Sequence, residues 1–528
     1  MTGSVRWSRR RFLRAGAAGG LALLGASCGG RAPSPRPSRA LLPEQALPIL
    51  AGPAPGPGRI ERENRLPGTD LWQLPLTGTG DAEGYFDQVS VVPGAQIALR
   101  ARSSSPSVSV FVYRLGWYGG AGGRLVGRWI DVPVPPQPAP VGDPSTGLLT
   151  CDWSAVLHLA VPPGWVSGTY VAVLQPAVGD PQWTTFIVRE APPAGGSAAA
   201  DWRAPVLLVS AVTTEQAYNA WGGRSLYADN STGPATVAGT ARAVKVSFDR
   251  PYQRLRGAGM HLGWELPLTR WLERHGYDAG TCADLDLGRD PSVLTGRRLV
   301  IVAGHPEYWS VPMRSALEQA IAAGTNVAFL SGDEMYWRIR FEASSGAADR
   351  TVVCYRDASL DPLAASHPDL ATAAWGQPPD PRPEGLVVGL SYGDMCARLA
   401  DMVVSAPDHW VFAGTGLGAG DRLPLLVGTE YDAWDPDAAR RPAGVQVLCA
   451  SPVLSLHGGA DVVAPPASDE ANAAIYTAPS GATVFAAGTM IWGWGLDGWG
   501  DHTYQGDTTP VDARVARITA NILDRLGT

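Results

Sequence analysis

An imidazole and a carboxylate stand two residues apart in Gly304-His305-Pro306-Glu307-Tyr308-Trp309, directly after the apolar run 297–303, RRLVIVA, which reads as a buried strand. The ring of Pro306 disfavours the helical region for His305, and in extended backbone residues i and i+2 point to the same side. His305 and Glu307 therefore face one space, as a proton-transfer pair or two donors to a cation would. In an open parallel sheet, ligands sit outside the carboxyl ends of the strands, and two more segments end there. SGDEMYW, residues 331–337, closes the run NVAFLS and supplies Asp333 and Glu334; AVTTEQAYNAWGG, 211–223, follows PVLLVS and supplies Tyr218. Tyr218, His305, Glu307, Asp333 and Glu334 are expected to converge. Glu430 in GTEYD, again after a short strand, is a further candidate carboxylate, with a surface loop as the other reading. The plainer alternative for each residue is a packed aromatic rim whose acids are solvated or cap helices.

Other chemistry is poorly represented. No Walker sequence is present, and no cysteine follows a strand as a nucleophile would. The glycines of 115–125 sit between strand-like runs and read as a hairpin rather than a nucleotide loop. Asp408-His409 reads as a turn. Lys+Arg 42 against Asp+Glu 49 gives a net charge of -7, with Lys245 the sole lysine, so the basic footprint of a nucleic-acid binder is missing.

The elements that must position these residues fall into two patterns. Residues 59–190 alternate short strands with turns and are expected to form a β-sandwich. From 204 to 528 strands alternate with helices, which predicts an α/β domain, doubly wound, so that the fold class is α+β multidomain. Within it, 265–276 reads as a helix with Leu268, Trp271 and Leu272 on one stripe. Ser310 caps a second helix that buries Met313, Ala316, Leu317, Ala320 and Ile321 and stops at Gly324. HWVFAG, LPLLVG and ATVFAAG are further strand candidates. Thr509-Pro510 is expected to open a final helix with Val511, Val515, Ile518, Ile522 and Leu526 inward.

Residues 1–28 read as an export signal, with Arg9 and Arg10 in SRRRFLR as a twin-arginine pair and LLGASC placing Cys28 as a lipid-acceptor cysteine. Residues 29–58, rich in proline and alanine, read as a disordered tether. Membrane contact is expected only through such an anchor, and the protein is expected in the cell envelope or outside the cell. Cys151, Cys282, Cys354, Cys396 and Cys449 form no Cys-x-x-Cys pair; a disulfide or two and buried thiols are both open readings.

YRLGWYGG (113–120), RPY (250–252), WELPLTRWLERHGYD (264–278), GHPEYWS (304–310) and SGDEMYW, in that order, resemble the N,N-dimethylformamidase large (beta) subunit family. The resemblance implies a β-sandwich followed by a domain shaped like class I glutamine amidotransferases without their cysteine. It also implies a hydrolase of amide C–N bonds with a mononuclear iron held by two tyrosinates and a glutamate. Carried over, the metal ligands are Glu307, Tyr218 and a second tyrosine for which KVSFDRPY offers Phe248 or Tyr252; Tyr252 is the choice made here. The remaining site residues are His305, Asp333 where the family has an amide, and Glu430 as second glutamate. A small-molecule amide is the implied substrate, and a small partner subunit or an oligomer the implied assembly. The rival reading is a non-catalytic cell-envelope binding protein for glycan or peptide, with which the 19 tryptophans are compatible.

Overall fold

The computed structural model describes residues 43–193, 202–344, 347–456 and 469–528. The export signal and Cys28 lie outside these residues. The chain is mixed α+β, with several sheets and few helices.

Two β layers make up the N-terminal region. Strands Ala82–Phe86, Gln96–Ser103 and Ala155–Ala160 form an antiparallel three-stranded sheet. A five-stranded sheet runs in the order Ser90–Val91, Gln182–Val188, Gly168–Pro176, Ser107–Leu115, Gly123–Pro133. Alternation sends Ile97, Leu99 and Ala101 from the first layer and Val110, Val112, Tyr170 and Ala172 from the second into one shared core. The other face of the larger sheet is also covered. Phe111, Tyr113, Val171 and Val173 pack with Ala258, Leu262 and Leu266 of the following region, which explains why strand Ser107–Leu115 is buried almost throughout. The stretch read as a tether is held to this region from Pro43 on, because the Arg128 guanidinium donates to the carbonyls of Glu44, Gln45 and Leu47, and Arg124 to that of Leu50.

The second region is built on a seven-stranded sheet ordered Ala279–Ala283, Val206–Ser210, Leu299–Gly304, Asn326–Ser331, Thr483–Ala486, Glu470–Thr477, Gln446–Pro452. Its first five strands are mutually parallel and its last two antiparallel. Helix Leu266–Arg274 and helix Ala513–Leu526 cover one face, with Leu268, Trp271, Ile518 and Ile522 against Leu208, Ile301 and Ala328. Helix Val311–Ala322 covers the other, with Met313 and Leu317 against Val209, Val300, Val302 and Phe329. Ser310 caps that helix by accepting the Met313 N–H.

Two expectations need correction. The last helix starts at Ala513 behind an Asp512 cap, so Val511 precedes it and is 53% exposed rather than inward. His409–Gly414 is no strand: Trp410–Phe412 is a single 3-10 turn. LPLLVG is a strand as expected, pairing with Ala400–Val403 in a separate two-stranded sheet. Of the two readings left open for the cysteines, the structure supports the thiols, since all five from Cys151 to Cys449 are buried and free.

Candidate metal centre

Two parallel strands and one short strand beside them deliver the site residues to one edge of the seven-stranded sheet. Leu299–Gly304 ends at Gly304 with φ +71, a conformation that favours glycine, and a Cβ there would come within 3.0 Å of the Trp264 Cβ. The His305–Glu307 loop that follows is pinned on both sides. The backbone N–H groups of Glu307 and Tyr308 donate to Thr214 Oγ1 at 3.0 and 3.3 Å, while the carbonyls of Pro306 and Glu307 accept from Met335 and Trp337 at 2.9 Å. Asn326–Ser331 leads into Asp333, whose φ of +56 turns the chain and whose N–H donates to Asp432 Oδ1 at 3.0 Å. Glu430 begins the short strand Glu430–Ala433, which is tied back to the main sheet through the Asp432 N–H and the Gly488 carbonyl.

These loops bring His305, Glu307, Asp333 and Glu430 together, with one donor atom of each inside a 4.8 Å spread and no side chain more than 5% exposed. His305 Nε2 lies 3.2 Å from Glu307 Oε2, 3.4 Å from Asp333 Oδ2 and 3.2 Å from Glu430 Oε2. Burial works against a charge on this imidazole, yet Glu430 and the contacts to Asp333 and Glu307 outweigh it and raise its pKa well above the ordinary value. Burial, then Glu307 and Glu430, push the Asp333 carboxyl well up. Glu334 stands one step behind: its Oε1 accepts from Ser331 Oγ at 2.6 Å, and it helps raise Asp432, after burial.

Two phenols border the acids. Tyr218, at the end of helix Val212–Tyr218, lies 5.4 Å from the His305 ring, centroid to centroid. Tyr227 stacks on Tyr218 at 4.1 Å and donates to both Glu307 oxygens, at 2.8 and 2.9 Å. Burial, then Glu307, Tyr218 and Tyr308, hold the Tyr227 phenol well above its ordinary pKa, opposed by Arg356, whose guanidinium lies 3.9 Å over the ring. Arg356 also donates to Tyr308 Oη, which donates to Tyr227 Oη at 2.8 Å.

Of the residues selected from sequence, His305, Glu307, Asp333, Glu430 and Tyr218 are thus brought together. Tyr252 is not: it lines a cleft with Glu215, Phe248, Arg250 and His261, and among the described residues it makes no hydrogen bond or ring contact to the cluster. Phe248 packs in the apolar core behind Tyr218 and Tyr227. Tyr227 was missed. Its signal is the pair Gly222-Gly223, both at positive φ, which reverses the chain so that the Leu226 N–H returns to the Ala217 carbonyl and sets Tyr227 beside Tyr218.

Carboxylates, phenols and a single imidazole are a hard, oxygen-rich donor set, and three carboxyl groups gathered on one nitrogen in a dry interior are costly to keep ionised without a cation. The residues present therefore fit a hard transition-metal cation.

The family model described as N,N-dimethylformamidase beta subunit-like, C-terminal, matches residues 109–506. Two curated relatives, each named N,N-dimethylformamidase beta subunit, are similar over 99 residues: one from Alcaligenes sp at 32% identity and one from Paracoccus aminophilus at 33%. The aligned stretch spans 17% of this chain and 13% of each relative.

Proposed function

This chain belongs to the N,N-dimethylformamidase beta subunit-like family, and from that premise we propose that it is a metal-dependent hydrolase of amide C–N bonds. The observation that carries the proposal is the position of His305 Nε2, buried and within 3.4 Å of three carboxylates. Glu307, Tyr218 and Tyr227 would hold a mononuclear iron, Tyr227 replacing Tyr252 as second phenolate because it already touches both Glu307 oxygens. When bound, the ion supplies a Lewis acid for the amide carbonyl and a lowered pKa for water. His305, Glu430 and Asp333 lie within proton-transfer reach of one another, so they can accept a proton from the attacking water and return one to the departing amine nitrogen. Burial of His305, Glu307, Asp333 and Glu430 keeps this exchange out of bulk water.

Three finer readings accompany it. The two β layers with their common core form a β-sandwich, and the parallel sheet with its site at the carboxyl edge is arranged like class I glutamine amidotransferases. The relatives are named as subunits, which supports assembly with a small partner subunit. The Arg9-Arg10 pair and Cys28 support export by the twin-arginine route and lipid anchoring; lysine at both arginines should trap the precursor inside, and normal export would remove that reading. The binding-protein alternative gains nothing from family membership. The function is tested by amine release from small N-alkyl amides by the iron-loaded chain. Turnover that disappears in Glu430→Gln with iron retained supports the assignment, and turnover unchanged in that variant removes Glu430 from it.

A further inference from the structure

A second polar cluster lies one turn back along the helix that carries Tyr218. Glu215, His261 and Glu265 offer donor atoms within 4.8 Å of one another, at 5%, 3% and 2% exposure. We propose that these three residues form a second divalent-cation site, of the zinc class, separate from the cluster around His305.

Three observations support it. First, His261 Nδ1 and Glu265 Oε2 are 2.9 Å apart, the separation of two donors sharing one ion as well as of a hydrogen bond, and Glu265 Oε1 is fixed by the Ala211 N–H at 2.8 Å. Metal-binding groups are commonly oriented by such outer contacts. Second, Glu215 Oε1 is buried without a hydrogen-bond partner among the described residues, and its side chain lines the same narrow cleft as His261. Buried polar atoms of this kind are rare without a ligand to meet them. Third, the loop is shaped to admit the carboxylate: Gly259 has φ +71, and a Cβ there would sit 2.6 Å from Glu215 Oε2. Access comes past Tyr252, which borders both the inner cleft and a wider one edged by Glu83, Arg102 and Gln253. That position gives Tyr252, displaced from the first cluster, a place at the mouth of the second.

One imidazole and two carboxylates are the donor types zinc takes, with a position left for water or a ligand arriving through the cleft. The test uses the full chain carrying Glu307→Gln, which disables the first cluster and so separates the two assignments. Equilibrium dialysis against Zn²⁺ should find about one ion per chain in this variant and less than about a tenth of one after adding Glu215→Gln or, separately, His261→Gln. Zinc should also raise the Tm of Glu307→Gln and leave that of the double variants unchanged. If Glu307→Gln takes up no zinc, or if Glu215→Gln in that background leaves uptake unchanged, the second site is refuted. Should His261→Gln fail to fold, the Glu215→Gln pair decides alone.

Discussion

Two interior clusters of charge in this protein have opposite balances. Where the N-terminal layers meet helix Leu266–Arg274, Arg114 pairs with Glu273 at 2.5 Å and Arg124 with Glu63 at 2.6 Å, and Tyr118 bridges them by donating to Glu63 at 2.7 Å while accepting from Arg114 at 3.0 Å. Two acids meet two guanidiniums, and all four charged side chains are at most 6% exposed. Around His305, three equally buried acids meet one imidazole, and Arg356 is engaged with the phenols of Tyr227 and Tyr308. The first cluster is an ionic joint closed by matched charges, with Glu63 Oε2, Arg114 Nε and Arg124 Nη2 left without a hydrogen-bond partner among the described residues. The second carries a surplus of carboxyl groups, which burial already drives toward the neutral form at Asp333 and which a cation would offset. Composition, more than burial, separates the two clusters.

The largest effect on stability should come from the balanced cluster. Glu273→Ala leaves Arg114 buried and unpaired, and chemical denaturation should show a loss of about 3–5 kcal/mol. A loss under about 1 kcal/mol would mean that the joint is not closed as described. Next in size is a pair of variants at the rim of the surplus cluster. Tyr227→Phe should weaken iron binding about 10–100-fold and shift the visible charge-transfer band, and Tyr252→Phe should change neither. The reverse result would return the second phenolate to Tyr252. Smaller still, Glu307→Gln in metal-free protein should change unfolding free energy by less than about 1 kcal/mol, because relief of repulsion with the other acids offsets the weakened contacts to His305 and Tyr227. A loss as large as that of Glu273→Ala would show that the cluster is balanced after all. The exposed pair Arg65 and Glu61 gives the baseline: Arg65→Ala should cost less than about 0.5 kcal/mol by the same measurement.

Much of the surplus cluster was legible in the sequence because it hangs on strand ends. A short apolar run predicts a buried strand, Pro306 sets the direction of His305 and Glu307, and parallel strands bring 305–307 and 333 to one edge without knowledge of side-chain packing. Glu430 was placed by the same logic, though its strand joins a small sheet beside the main one. Tyr227 was illegible because SLYADN carries no periodicity, and its position depends on a chain reversal at Gly222-Gly223 and on stacking against Tyr218. Tyr252 was chosen from the family resemblance alone, and tertiary contacts carry its loop toward His261. Val511 was misread because an apolar residue at helix spacing lies just before the Asp512 cap, and capping ended the periodicity there. The arginine-rich joint left no trace either, since Glu63, Arg114, Arg124 and Glu273 come from four separate elements.

The central claim is that the carboxylates around His305 exist to hold a cation. The most direct measurement is the iron content of the full chain purified from iron-supplied cells, with Glu307→Gln prepared in parallel and both checked for folding by circular dichroism. The account predicts about one iron per chain in the parent and less than about a tenth of that in the folded variant. A folded variant that keeps its full complement of iron, or a folded parent that hydrolyses amides while holding none, would contradict it.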